Sequence, residues 1–206
     1  MSFSGVDGAG KTTILMETKK IIEDLYGRDV VVLRQRPSVL PILSAIKYGK
    51  AEAEKRTVEV LPRSGTNKSI VSSYIRFFYY LSDYLFGQFY AYFKYSLNGT
   101  VILYDRFYFD YLADPKRANL IINRKFALFF YKFLIKPKRN IFLYAEANEI
   151  LRRKQELSKK DIESLTRNYL ETFEGFSNPD QYISINNQDL DQTMKIVKSL
   201  VIEELS

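Results

Sequence analysis

The 206-residue sequence contains no cysteine and no histidine. The absence of cysteine excludes disulfides and thiolate metal sites, and it is compatible with a reducing compartment. The absence of histidine excludes histidine general bases, Ser-His-Asp triads and the most common zinc ligand. We find no secretory signal at the start of the sequence and therefore expect a cytoplasmic protein. Any chemistry must rely on carboxylates, hydroxyls, lysines and arginines.

Length and charge indicate how many domains the chain forms and which partners it could bind. Hydrophobic residues make up 46% of the chain, which is enough for one well-buried α/β domain over residues 1–206 and too little chain for two. The formal charge is +7, but no block of like charges appears, so we expect no nucleic-acid binding. The surplus of basic residues instead suits anionic small substrates.

The segment "GVDGAGKTT" (5–13) matches the P-loop pattern of glycine, four residues, glycine, lysine and threonine. Its small residues let backbone N–H groups point inward, and the following helix adds its positive end to the same anion. Lys11 is predicted to reach the β- and γ-phosphates of ATP, and the Thr12 hydroxyl to ligate Mg²⁺. The predicted ATP-binding residues are Gly5, Val6, Asp7, Gly8, Ala9, Gly10, Lys11, Thr12 and Thr13.

Short apolar runs alternate with segments of helical periodicity along the rest of the chain. Strands are predicted within residues 1–4, 29–37, 100–106, 140–146 and 181–186. Helices are predicted within residues 14–25, 70–97, 118–134 and 158–175. The first strand is short, which suggests that it is truncated or that the true start lies upstream. Strands separated by helices predict a parallel sheet covered on both faces, which is a three-layer α/β fold. Ser158 and Asp161 predict a capping box at the start of the last of these helices.

Charged side chains follow two of the predicted strands at their carboxyl ends, where parallel sheets bind ligands. Asp105 is predicted to hold Mg²⁺ or to orient an acceptor, unless it simply pairs with Arg106. Arg106 and Arg36 should converge at this edge and bind an acceptor phosphate in a bidentate manner. Arg34 and Arg63 are less certain helpers. An uncharged acceptor would not need these guanidinium groups.

Four segments together resemble the thymidylate kinase family of nucleoside monophosphate kinases. They are the P-loop, "RP" (36–37), "DRF" (105–107) and "LRRKQELSKK" (151–160). The resemblance implies a P-loop NTPase fold with a five-stranded parallel sheet flanked by helices. It also implies Mg²⁺-dependent transfer of the γ-phosphate of ATP to a nucleoside monophosphate, with dTMP as the first candidate. Asp7 would then face the sugar of the acceptor.

Two accessory segments are predicted within the single domain, an excursion from the sequence itself and a lid from the resemblance. An acceptor-side excursion would span about 38–72, where the sequence from 47 to 68 is polar and lacks firm periodicity. A lid would span about 147–160. Arg152 and Arg153 in this lid would bring positive charge onto the migrating phosphoryl group and exclude water.

Two departures from the family leave the acceptor open. The family's "DRY" is "DRF" here, and the arginine that reads the thymine edge is missing near Tyr84 and Leu85. The chain is therefore also compatible with a kinase for another phosphorylated metabolite, such as a sugar phosphate or a lipid-linked one, or with a non-catalytic ATP-binding switch. Asp110 and Asp114 are further candidates to bind acceptor or metal, although a turn before Pro115 also explains Asp114.

The predicted helix at 70–97 is rich in tyrosine and phenylalanine. Most of these rings should pack in the core or form a dimer face, so a homodimer is a candidate assembly beside the nucleotide substrates. The segment "FALFFYKFLIKPKR" (126–139) is apolar and then basic, a pattern compatible with a membrane surface but too short to span a bilayer. We do not expect membrane contact from the sequence.

Overall fold

The computed structural model describes residues 1–34, 40 and 69–205. These residues form a five-stranded sheet in the order β2-β3-β1-β4-β5, in which every neighbouring pair of strands is parallel. The strands are β1 Ser2–Gly5, β2 Val30–Arg34, β3 Val101–Asp105, β4 Asn140–Tyr144 and β5 Tyr182–Asn186. The predicted α/β class with a five-stranded parallel sheet is confirmed.

Helices connect the strands and cover both faces of the sheet. They are α1 Lys11–Tyr26, α2 Ile70–Lys94, α3 Asp110–Ala113, α4 Arg124–Tyr131, α5 Ala147–Arg153, α6 Lys159–Glu174 and α7 Leu190–Leu205. Short 3-10 turns lie at Ser96–Asn98 and Pro115–Ala118. Among the helices that the structure describes, none combines the length and apolar composition required to cross a bilayer.

Local signals fixed several helix ends correctly. The Ser158 hydroxyl accepts a hydrogen bond from the Asp161 backbone N–H at 3.2 Å, so the predicted N-cap is confirmed. The Asp161 carboxylate accepts from the Ser158 hydroxyl, whereas in a capping box it would accept from the Ser158 backbone N–H. Helix α1 ends at Gly27, which has a left-handed backbone with φ 59°. Such a conformation is easiest for glycine.

The prediction of a helix from residue 118 was wrong, because α4 begins only at Arg124. Asn119 adopts a left-handed backbone with φ 57°, which interrupts helical geometry. Asn123 then caps α4, since its side-chain oxygen accepts a hydrogen bond from the Lys125 N–H at 2.8 Å. The long helix α2 likewise ends at Lys94 rather than at residue 97, and the chain turns through Gly99 with φ 77°.

Two apolar cores lie on opposite faces of the sheet. Helices α1 and α7 pack on one face, where Ile14 and Val197 belong to the same buried cluster as strand residues such as Leu103. Helices α2, α3, α4 and α6 pack on the other face around an aromatic core. Its largest fully buried side chains are Phe77, Tyr84, Tyr108, Phe109, Tyr111, Phe142 and Tyr169. The fold is therefore three-layered, as predicted.

The strand order determines where side chains can meet. Strand β1 lies between β3 and β4, with Phe3 paired to Asp105 and Gly5 paired to Leu143. The loop that leaves β1 therefore emerges between the carboxyl ends of its two neighbours. This edge is where open parallel sheets bind ligands.

Candidate active site

The P-loop joins β1 to α1, and at two of its glycines there is no room for a side chain. A Cβ atom at Gly5 would lie 2.3 Å from the carbonyl oxygen of Leu143, and one at Gly10 would lie 2.3 Å from the side-chain nitrogen of Asn187. Gly10 also has φ 86° where it caps α1. Glycine is therefore required at Gly10 both by space and by backbone conformation.

Asn187, directly after β5, ties the P-loop to the sheet. Its side-chain Nδ2 donates to the carbonyl oxygen of Ala9 at 2.8 Å, and its backbone N–H donates to Tyr144 at 2.6 Å. The residue is 4% exposed, and its buried Oδ1 has no partner within the described part of the chain. Sequence analysis missed Asn187 because a single asparagine at a strand end has no local signature.

Lys11 lies in the P-loop, where it was predicted to reach the phosphates of ATP. It is 7% exposed, its Nζ donates to the carbonyl oxygen of Val6 at 3.0 Å, and it lies 3.9 Å from the Asp7 carboxylate. Burial and, to a smaller extent, the positive charge of Arg106 together lower the pKa of Lys11 to about 7, although Asp7 opposes both effects. A bound polyanion would raise this pKa again, because negative charge favours the protonated amine.

Arg106 stands at the centre of a buried ion cluster. Its Nη2 donates to Asp7 at 2.7 Å, and its Nη1 donates to Asp110 at 3.2 Å. The expected alternative, a simple pair between Arg106 and Asp105, is not observed as a hydrogen bond or salt bridge among the described residues. The guanidinium instead bridges the P-loop and helix α3.

Arg117 completes the cluster from the 3-10 turn after α3. Its Nη1 donates to the second oxygen of Asp7, and its Nε lies 3.7 Å from Asp110. The Tyr169 hydroxyl of α6 donates to the other oxygen of Asp110 at 2.7 Å. We refer to Asp7, Arg106, Asp110, Arg117 and Tyr169 together as the Asp7 cluster. Sequence analysis noted Asp110 but missed Arg117 and Tyr169.

The electrostatics of the Asp7 cluster favour the charged forms of Asp7 and Arg106. Burial alone would raise the pKa of the Asp7 carboxyl, but Arg106, Arg117 and Lys11 outweigh burial and hold this pKa well below its usual range. Burial likewise opposes the charge on Arg106, while Asp110 and the other negative neighbours raise the pKa of its guanidinium. Each charge therefore depends on its partners, because an unpaired buried charge is costly.

The backbone of Arg106 is strained at the position from which its side chain enters the Asp7 cluster. Arg106 has φ 71°, in the left-handed region, although it is not glycine. Such a conformation costs about 1–2 kcal/mol for an L-residue. Its N–H still donates to Phe3 at 2.8 Å, so the strain lies directly at the end of the β1–β3 pairing. Strained residues of this kind cluster at functional sites.

Asp105 and Thr12 are the predicted metal ligands, and both lie at the sheet edge. Asp105 ends β3 with a side chain that is one-quarter exposed and 4.0 Å from the Arg34 Nε. Thr12 is exposed in the first turn of α1. No group of three or more metal-ligating side chains occurs within residues 1–34, 40 and 69–205. One hydroxyl and one carboxylate suit Mg²⁺, which takes most of its ligands from phosphates and water at kinase sites.

The two predicted lid arginines differ in direction. Arg152 is 77% exposed and bonded to Glu149 at 2.7 Å within the same helix α5. Arg153 turns to the P-loop, because its Nη1 lies 3.9 Å from the position of a Cβ atom at Gly10. Helix α5 itself packs on the loop through Ile150, which lies 3.1 Å from a Cβ position at Gly8.

Arg36 and Arg63, and most of the predicted excursion, lie outside the described residues, so their roles stay predictions. Tyr84, which falls near the place of the family's base-reading arginine, is buried and packs its ring against Phe107, Tyr108 and Tyr111. It therefore belongs to the aromatic core.

A cavity of about 290 Å³ opens beside the ends of β4 and β5. It is lined by residues including Tyr144, Glu146, Ile162, Glu163, Thr166 and Gln188. The buried hydroxyl of Thr166 has no hydrogen-bond partner among the described residues. Because Gln188 directly follows Asn187, the cavity adjoins the P-loop, and its size is close to the lower limit of ligand pockets.

Comparison with known proteins identifies the fold. Neither a protein-family model nor a curated protein matches the sequence. The structure is similar to that of thymidylate kinase from Ehrlichia chaffeensis, with a TM-score of 0.60 and 16% sequence identity. The match covers 100% of this chain and 97% of that one. The described residues therefore form a thymidylate-kinase-like P-loop fold.

Proposed function

We propose that the protein is a P-loop kinase that transfers the γ-phosphoryl group of ATP to a nucleoside monophosphate, with dTMP as the first candidate acceptor. The Asp7 cluster carries this proposal, because it holds Arg106 and Arg117 beside the phosphate loop. Guanidinium groups bind phosphate monoesters in a bidentate manner, and an uncharged acceptor would not require them. The thymidylate-kinase-like fold supports the same class of reaction.

The donor side of the proposed site is the P-loop. Its backbone N–H groups and the start of α1 would hold the phosphates of ATP, with Lys11 neutralising the β- and γ-phosphates. Mg²⁺ held with Thr12 and Asp105 would neutralise further charge on the phosphates. The helix end and the lysine together suit a triphosphate better than a single phosphate.

The acceptor side is the Asp7 cluster. Arg106 uses two of its five N–H donors within the cluster, so further donors remain for an acceptor phosphate. Both oxygens of Asp7 accept from arginines, but a carboxylate can accept about four hydrogen bonds. The family resemblance implies that Asp7 also accepts a hydrogen bond from a sugar hydroxyl. Arg36 remains a predicted partner of Arg106 on the acceptor phosphate.

Transfer would join the two sides. An oxygen of the acceptor phosphate forms a bond to the γ-phosphorus while the bond from that phosphorus to the leaving ADP oxygen breaks. Arg153, which lies beside Gly10, would donate to the oxygens of the phosphoryl group during transfer, where positive charge lowers the barrier most. Arg152 would first have to leave Glu149.

The proposal is tested by ADP release from the full chain with ATP, Mg²⁺ and a panel of acceptors. We expect acceleration by dTMP or another nucleoside monophosphate, and loss of this activity in Lys11→Met. The matched control is Lys20→Met, which removes an exposed lysine from the same helix and should leave activity unchanged. ATP hydrolysis that no acceptor in the panel accelerates would favour the non-catalytic ATP-binding switch instead.

A second acceptor class is favoured by one observation. Tyr84 lies in the core, where it cannot read the edge of a base. A kinase for another phosphorylated metabolite would use the same Asp7 cluster without base recognition. Strong turnover of a sugar phosphate or a lipid-linked phosphate, with none of dTMP, would replace our first choice while leaving the kinase class intact.

A further inference from the structure

Helix α6 packs against both sides of the proposed site. On the donor side, Ile162 belongs to the same buried cluster as Val6 and Ala9 of the P-loop. On the acceptor side, the Asn168 Nδ2 donates to the carbonyl oxygen of Ala113, the last residue of α3, at 3.3 Å. The helix therefore connects the P-loop to the segment between β3 and α4 that carries both arginines of the Asp7 cluster.

Tyr169 follows Asn168 on this helix, and packing fixes its ring. The side chain is 1% exposed, and its ring stacks on that of Phe142 in β4, with centroids 4.9 Å apart and 12° between the ring planes. Burial holds the pKa of the Tyr169 hydroxyl well above its usual range, and the charge of Asp110 adds to this effect. The hydroxyl therefore stays protonated and is a hydrogen-bond donor with a fixed position.

The Tyr169 hydroxyl determines how the Asp110 carboxylate is turned. It donates to Oδ1 at 2.7 Å, and Oδ1 accepts no other hydrogen bond from the described residues. The second oxygen, Oδ2, faces the arginines, since the Arg106 Nη1 donates to it at 3.2 Å and the Arg117 Nε lies 3.7 Å away. The terminal torsion of an aspartate side chain is broad, so the carboxylate plane needs an external constraint. The phenolic donor supplies it.

One carboxylate oxygen thus orients two guanidinium groups. Arg106 and Arg117 each pair with Asp7 as well, and without Asp110 they would pair with Asp7 alone among the described residues. A planar guanidinium that is held at two points keeps its remaining N–H donors in one direction. The position of the Asp110 Oδ2 therefore determines where those donors point.

We propose that Tyr169 is a positioning residue that acts through Asp110 to align the two arginines of the Asp7 cluster with the acceptor phosphate. The inference rests on the proposed function, in which these arginines bind that phosphate. It predicts an effect on one substrate alone, because the phosphates of ATP are assigned to the P-loop and Lys11. Packing does not account for the hydroxyl, since a phenylalanine would retain the stack on Phe142.

Steady-state ADP release, with ATP and the acceptor that wild type phosphorylates fastest, tests Tyr169→Phe against the matched control Tyr108→Phe. The Tyr108 hydroxyl is buried in the same aromatic core and donates to the carbonyl oxygen of Ala127 at 2.8 Å, outside the Asp7 cluster. Each variant loses one buried hydrogen bond and should melt about 2–6 °C lower. Only Tyr169→Phe should raise the KM for the acceptor, on the order of tenfold, with the KM for ATP unchanged. An unchanged acceptor KM, or an equal rise in Tyr108→Phe, would overturn the inference and leave the kinase class intact.

A readout without turnover separates this inference from the proposed function. In proton–nitrogen correlation spectra, the Arg117 Nε–H resonance can be assigned by its absence in Arg117→Lys. It should shift and broaden in Tyr169→Phe, because its carboxylate partner is released, and stay in place in Tyr108→Phe. An unchanged resonance in Tyr169→Phe would overturn the inference. If wild type phosphorylates no acceptor, the proposed function fails, and the resonance alone then decides whether Tyr169 orients the arginines.

Discussion

The arginines on the two sides of the P-loop differ in burial. On the acceptor side Arg106 and Arg117 are nearly enclosed and share the carboxylates of Asp7 and Asp110. On the lid side Arg152 and Arg153 are exposed on a helix of seven residues. A guanidinium that carboxylates hold in place is oriented before any ligand arrives, whereas an exposed one can move onto a ligand. The same residue type is thus suited to two tasks by its surroundings.

The largest effect on stability should come from removing a buried arginine on the acceptor side. We expect Arg106→Met to lower the free energy of unfolding by about 3–5 kcal/mol, because Asp7 and Asp110 would lose their central partner while remaining buried. Urea unfolding followed by circular dichroism measures this loss. The exposed counterpart, Arg152→Met, should change stability by less than about 0.5 kcal/mol. Equal losses for the two variants would contradict the distinction.

The next largest effect should appear within the lid and in catalysis. We expect Arg153→Met to lower kcat on the order of 100-fold with little change in stability, because a donor to the phosphoryl oxygens would be lost. Arg152→Met should lower kcat much less, since Arg152 is bonded to Glu149. Steady-state ADP release measures both variants. The assignment of Arg153 fails if Arg152→Met is the more damaging change.

Sequence reasoning succeeded where a signal is local. The P-loop, the strand ends and the N-cap at Ser158 each depend on residues within a few positions of one another, and the structure shows the same elements. Asp105 could be placed at the sheet edge because an apolar strand leads directly to it. The parallel sheet followed from the alternation of strands and helices.

Sequence reasoning failed where the contact joins distant parts of the chain. Arg117 meets Asp7 across 110 positions, and Asn187 meets Ala9 across 178. Neither partner has a pattern around it that identifies the other. Arg117 also lies in a short 3-10 turn, just before the predicted helix at 118–134, where no sequence pattern singles it out. The carboxylates at 110 and 114 were the available signal, and they pointed to this segment without giving the pairing.

A smaller effect should appear when the charge of Asp7 is titrated. Because the pKa of Asp7 is lowered in the folded state, its stabilisation is complete above its unfolded pKa near 3.9 and is lost as the pH falls towards the folded value. We expect wild type to exceed Asp7→Asn in unfolding free energy at pH 6–7, and this advantage to shrink by about 1–2 kcal/mol between pH 5 and pH 3. Urea unfolding across this range checks it; an advantage independent of pH would contradict the paired carboxylate.

The smallest effect should come from Arg34, the exposed arginine on the acceptor side. Its side chain is 89% exposed and its Nε lies 4.0 Å from Asp105, so Arg34→Ala should change the free energy of unfolding by less than about 0.5 kcal/mol. If Arg34 helps to hold the acceptor phosphate, the KM for the acceptor should rise while the KM for ATP stays constant. Arg28→Ala is the matched control, because Arg28 is exposed just before the opposite end of β2. An unchanged acceptor KM in Arg34→Ala would leave acceptor binding to the buried arginines.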